Sequence, residues 1–244
     1  MSKLEAAGVW VAEDHRTLLE PTTIAVETGE IVAAYGEPGQ RHTLLSLALG
    51  GRLVPSGGDV RIDQVYAAAA RQQQVALIDV PGVNEPDDLS ALTTIVAEEL
   101  AMAAKPARRS HVDHWLTSNG LRPHRDDRIE DLPPGLRTVA MARLASLRPG
   151  VQFLVLTMPE RYGIDPGAWL EDAIALAGGG LGVLATVSPG IARRIEQDHP
   201  EIRTAPFGNA EFHDPKLAAE PATASAVGPA VVPAAGLETT EDDR

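Results

Sequence analysis

Gly36-Glu37-Pro38-Gly39-Gln40-Arg41-His42-Thr43-Leu44 is the stretch on which the fold turns. A short apolar run, Glu30–Tyr35, precedes it with strand-like character, and Thr43–Leu49 follows with a helical pattern. The order is therefore strand, glycine-bearing turn, helix. That placement, and the spacing of Gly36 and Thr43, line up with the pattern G-x-x-x-x-G-K-[ST]. In such a loop the backbone N–H groups converge at a helix N-terminus and make a natural anion site. Two positions depart from the pattern. Arg41 stands at the second glycine, where a side chain obstructs close approach of phosphate. His42 stands at the lysine, and an imidazole with a reference pKa of ~6.5 is a poor permanent counter-charge. Thr43 keeps a hydroxyl suited to Mg²⁺, and residues 36–44 are the candidate nucleotide-binding residues, with Thr43 the candidate metal ligand.

Downstream, strand and helix patterns alternate. Pro55-Ser56-Gly57-Gly58 reads as a turn before a strand at Val60–Ile62, and Val75–Val80 reads as a further strand. Leu92, Ile95, Val96 and Leu100 make one helical stripe within Leu89–Ser118, broken at Pro106. Leu136–Leu147 is helical, followed by strand Gln152–Leu156, helix Ala168–Ala177 and strand Gly182–Thr186. Thr22–Glu27 is strand-like as well. The alternation predicts an α/β fold, a mostly parallel sheet flanked by helices, with residues 88–130 as a helical insertion.

In order and spacing these segments resemble the ATP-binding cassette of ABC transporters, over about residues 8–205. Gly82 of Val80-Pro81-Gly82 stands where such cassettes carry their Q-loop glutamine. Leu132-Pro133-Pro134-Gly135-Leu136-Arg137, followed by Val139–Arg143, is similar to the L-S-G-G-Q signature and its helix. Phe153–Glu160 resembles the Walker B strand L-L-L-D-E-P, with Gly163-Ile164-Asp165 at the D-loop and Val187 at the switch histidine. The resemblance implies a cassette domain over 1–214, ATP and Mg²⁺ as cofactors, and a membrane permease or a second cassette as partner. It also implies a cytoplasmic protein, peripheral at the inner face of a plasma membrane through that partner.

The residues that would do the chemistry are replaced. Hydrolysis needs neutralised phosphates, a held Mg²⁺ and an oriented water. Thr157 stands at the metal-holding aspartate, Met158 at the glutamate that polarises water, and Val187 at the γ-phosphate contact. Positioned acid–base help supplies about 10²–10⁴-fold, so these losses predict a degenerate cassette with no catalytic residues. Nucleotide held without turnover, a rearranged ATPase using Glu160 or Asp165, and a nucleotide-free scaffold stay open as alternatives.

Composition narrows the class further. The 244-residue chain has no cysteine, which excludes disulfides and thiolate chemistry. Its net charge of −13 argues against a nucleic-acid partner, and Arg108-Arg109 and Arg193-Arg194 read as solvated helix faces. No apolar run approaches the roughly 20 residues of a membrane span, which predicts no direct insertion. Trp10 reads as a core or edge-strand residue, and His111, His114 and His124 as a polar face. Trp115 and Leu116, with the Val96/Leu100 stripe, suit either a partner groove or the core of the insertion. Residues 215–244 are Ala/Pro/Thr-rich and end acidic, the composition of a disordered tail.

Overall fold

The computed structural model describes residues 1–211 other than Pro134 and Ile164. The tail expected at 215–244 lies outside the described residues. Two sheets share the work. Strands β1 (Lys3–Glu13), β2 (Arg16–Glu27) and β4 (Gly57–Ile62) form an antiparallel sheet in the order β2-β1-β4. Strands β3 (Ile31–Tyr35), β5 (Val75–Ile78), β6 (Phe153–Thr157), β7 (Gly182–Val187) and β8 (Arg203–Pro206) form a parallel sheet in the order β5-β6-β7-β3-β8.

Helix α1 (Gln40–Leu49) follows β3, and α2 (Ala68–Gln74) leads into β5. The insertion carries α3 (Leu92–Met102) and α4 (Arg109–Ser118), interrupted around Pro106 as its sequence predicts. Helices α5 (Leu136–Ala145), α6 (Gly167–Gly178) and α7 (Pro189–Asp198) complete the chain's helical cover.

The parallel strands are buried on both faces, and their period of two sorts the core. Ala76, Ile78, Leu154, Leu156, Val183 and Ala185 pack with residues of α3 to α7. Their neighbours Val75, Leu77, Phe153, Val155 and Leu184 pack with α1 and the antiparallel sheet. Leu92, Val96, Leu100, Val112 and Leu116 are buried together, so the stripe with Leu116 is the core of the insertion and not a groove. Trp115 packs half-buried against that core.

The expected mostly parallel sheet is present, and the early strands form a separate antiparallel sheet beside it that the sequence reading did not specify. Thr22–Glu27 is the second half of β2, and its partner β1 escapes a period-two reading for a physical reason. A bulge between Ala6 and Val9, with Gly8 at φ 59, shifts the inward set from Leu4 and Ala6 to Val9 and Val11. Trp10 is half-buried on β1, which is the central strand of that sheet and not an edge. Its indole covers Gly57 so closely that a Cβ there would lie 2.3 Å from Nε1. Arg193 and Arg194 do lie on the solvent side of a helix, α7, whose Ile191, Ala192 and Ile195 face inward.

Candidate functional site

The turn from β3 into α1 lies at the C-terminal edge of the parallel sheet, where open α/β sheets bind ligands. Gly39 caps α1 with no side-chain hydrogen bond, so the first N–H groups of the helix face the turn. Glu37, Pro38, Gly39 and Gln40 are exposed, Gly36, Arg41, Thr43 and Leu44 are half-buried, and His42 is only 1% exposed.

His42 occupies the inside of its own loop. Its Nε2 lies 3.2 Å from the carbonyl oxygens of both Gly36 and Glu37. Because both partners are acceptors, Nε2 carries the proton and donates to them. Nδ1 is then an acceptor, buried and without a hydrogen-bond partner. Phe207 stacks on the imidazole at 4.9 Å between ring centroids. The same ring closes over Gly36, where a Cβ would come within 2.4 Å of it. Burial, with the charge of Arg41 nearby, pulls the imidazole pKa below its ordinary value despite the two carbonyl contacts. A neutral ring bonded to the loop backbone therefore sits where the phosphate pattern wants a mobile cation.

Arg41 turns outward and pairs with Glu20 of β2 at 3.3 Å. Thr157, at the end of β6, is 2% exposed and its hydroxyl lies 2.8 Å from that of Ser46 on α1. Ser46 donates its single proton to the His42 carbonyl at 2.9 Å, so the proton between the hydroxyls comes from Thr157. Met158 takes φ 48, and its N–H reaches the Thr186 carbonyl at 2.9 Å. Val187 is fully buried, and its carbonyl accepts from Gly36 N–H at 3.2 Å.

Glu160 is 8% exposed and holds the start of α7, accepting from Ser188 N–H at 2.6 Å. Its Oε2 has no hydrogen-bond partner, and burial raises its pKa above the ordinary carboxylate value. Asp165 accepts from Gly167 N–H and pairs with Arg194 at 3.4 Å. Neither carboxylate is directed to Thr43 or to the loop by any of these bonds.

Charge is concentrated instead where β5 ends. Asp79, 3% exposed, receives Nε and Nη2 of Arg137 at 3.0 and 2.9 Å, a two-point pairing. Arg137 also reaches Asp88 through Nη1. Arg161 lies 3.1 Å from both Asp79 Oδ1 and Glu85. The guanidiniums of Arg137 and Arg161 both lie over the Tyr162 ring, at 4.4 and 4.6 Å from its centre. Burial and the Asp79 charge push the Tyr162 phenol up to about 12, against the pull of the two arginines.

No family model matches the chain. Solved structures do. An ABC-transporter ATP-binding protein of Pyrococcus furiosus superposes with TM-score 0.63 at 15% identity, over 86% of this chain and 100% of that one. A nucleotide-free ATP-binding cassette from an ABC transporter gives 0.61 at 16% identity, over 90% and 98%. The CbiO1 protein of Clostridium perfringens, part of the CbiONQ transporter complex, gives 0.55 at 16% identity, over 76% and 77%. The chain has the fold of an ABC-transporter ATP-binding cassette.

The loop 36–43 joins β3 to α1, Thr157-Met158 closes β6, and Gly135 caps α5. Gly135 has φ 83, and a Cβ there would meet Ala168 of α6 at 2.5 Å, so glycine is fixed at this position by packing. Gly82 lies in an exposed turn; the amide that this segment does carry, Asn84, binds its own backbone at Leu77 and Val80. His111 and His114 are exposed on α4, while His124 pairs with Asp127 at 2.8 Å. No cluster of potential metal ligands forms among the described residues.

The residues present do not fit ATP and Mg²⁺ as the phosphate pattern would hold them. His42 is an imidazole spent on loop carbonyls, Arg41 is ion-paired, and the Thr157 hydroxyl is spent on Ser46. Sequence reading missed the Asp79–Arg137–Arg161–Tyr162 cluster. Its members come from three separated segments, and the only local signal was Arg161-Tyr162 following Pro159-Glu160.

Proposed function

We propose that the chain is a degenerate cassette, an ABC-transporter-like subunit that acts by binding a partner and does not hydrolyse ATP. One observation carries this reading. His42 fills the phosphate loop from inside, its Nε2–H satisfied by the Gly36 and Glu37 carbonyls and its ring covered by Phe207. Opening that loop for phosphate breaks those bonds and still supplies no fixed positive charge, because burial favours the neutral ring. The acidic groups needed for metal and water are replaced by Thr157 and Met158, so displaced histidine alone does not restore chemistry.

The partner is a membrane permease or a second, intact cassette, and the chain sits at the inner face of the membrane only through it. No helix among the described residues is long and apolar enough to cross a membrane. A groove of about 420 Å³ between the segment after β5, α3 and α5 suits such docking. Ile95 and Met141 line it buried and Met102 exposed, with the acidic Glu85, Asp87 and Glu98 beside Arg52 and Arg148, a mixed lining that suits an amphipathic helix.

The test is the double substitution Arg41→Gly with His42→Lys, compared with the parent for nucleotide affinity and for phosphate release. The variant gains affinity for ATP because the loop is emptied and a cation installed. Its turnover stays at background. Sustained hydrolysis by the variant, with Thr157 and Met158 untouched, overturns the assignment of those positions.

A further inference from the structure

The helical insertion leaves the sheet after β5 and returns through α5, and one guanidinium holds both ends. Arg137 lies in the first turn of α5, Asp88 lies just before α3, and Asp79 lies one residue beyond β5. Arg137 binds Asp79 with two nitrogens and Asp88 with the third. A second guanidinium locks the same point from the other side. Arg161, in the turn after β6, donates to the Asp79 carbonyl at 2.6 Å, to the Thr157 carbonyl at 2.8 Å and to Glu85 at 3.1 Å. Both cations lie over the ring of Tyr162.

This cluster is costly unless it is kept whole. Arg137 is 5% exposed and Asp79 3%, and a buried charge that loses its partner is strongly destabilising. Any rotation of α5 and α3 away from the sheet separates Arg137 from Asp79 or from Asp88. The planar two-point geometry tolerates little displacement before both bonds are lost.

We infer that Asp79, Asp88, Arg137, Arg161 and Tyr162 form a clamp that fixes the helical insertion to the parallel sheet as one rigid body, with the segment 79–90 held as a pre-shaped wall of the groove. The clamp itself is independent of nucleotide, and the use of its wall rests on partner docking at the groove. A hinged insertion would have to order that wall on each encounter; the clamp removes that cost in advance.

The chain has no cysteine, so a label pair is introduced by His114→Cys on α4 and Arg193→Cys on α7, both exposed. Electron–electron distance measurements on the labelled full chain give one narrow distance. Adding Arg161→Ala broadens it or brings a second distance, and hydrogen exchange in 79–90 quickens at least about tenfold, the scale of 1.4 kcal/mol of lost protection. Asp88→Asn, at a side chain 60% exposed, is the second variant and gives the same change in weaker form, should Arg161→Ala fail to fold. A broad distance in the parent overturns the clamp. So does a narrow distance, with parent-like exchange, in folded Arg161→Ala or Asp88→Asn.

Discussion

Two places at the same edge of the parallel sheet are built on opposite lines. The loop between β3 and α1 turns its side-chain donors inward: His42 Nε2–H bonds to loop carbonyls, Ser46 to the His42 carbonyl and Thr157 to Ser46. The segment beyond β5 instead gathers Arg137 and Arg161 around the buried Asp79. A binding site keeps polar groups poised and unsatisfied until a ligand arrives; a structural joint satisfies them at once. By that criterion the side-chain donors of both places form joints, one neutral and one ionic, while His42 Nδ1 stays without a partner.

Breaking the ionic joint has the largest expected effect. Arg137→Ala leaves Asp79 buried with Arg161 as its remaining partner and lowers unfolding stability by about 3–5 kcal/mol in urea denaturation. A loss below about 1 kcal/mol would place the pairing among solvated surface bridges and erase the contrast.

The neutral joint yields less. Thr157→Val preserves shape and removes the bond to Ser46, and the expected cost is about 1 kcal/mol in the same measurement. An effect as large as that of Arg137→Ala would show the loop, and not the charge cluster, to be the stiffer region.

The smallest effect is confined in pH. His42 is held below its ordinary pKa by burial, so between that lowered value and ~6.5 the unfolded chain binds a proton that the folded chain does not. Its contribution to stability is complete above ~6.5 and declines as the pH falls through that window. His42→Gln shows a shallower loss on acidification than the parent, read from denaturation midpoints at several pH values. Parallel profiles would mean that the imidazole is not held neutral in the fold.

Much of the architecture was legible because buried parallel strands and amphipathic helices write their periods directly. The strands at 31–35, 75–78, 153–157 and 182–187, and the break at Pro106, follow from apolar runs and punctuation. What was lost had physical causes. β1 changes phase at the Gly8 bulge, and β8 is a polar four-residue strand ending in Pro206. In the loop, the sequence identified which residues were replaced; it could not say that His42 turns inward, since that depends on Phe207 arriving from 165 positions further along. The clamp was illegible for the same reason, as Asp79, Arg137 and Arg161 meet only after the sheet has formed.

The account's central claim is that the phosphate loop is closed by its own histidine. Calorimetric titration of the purified full chain with ATP, with and without Mg²⁺, tests it most directly. The closed loop predicts no saturable heat at micromolar nucleotide in either condition. Micromolar binding, above all binding strengthened by Mg²⁺, would contradict it and return the loop to service as a nucleotide site.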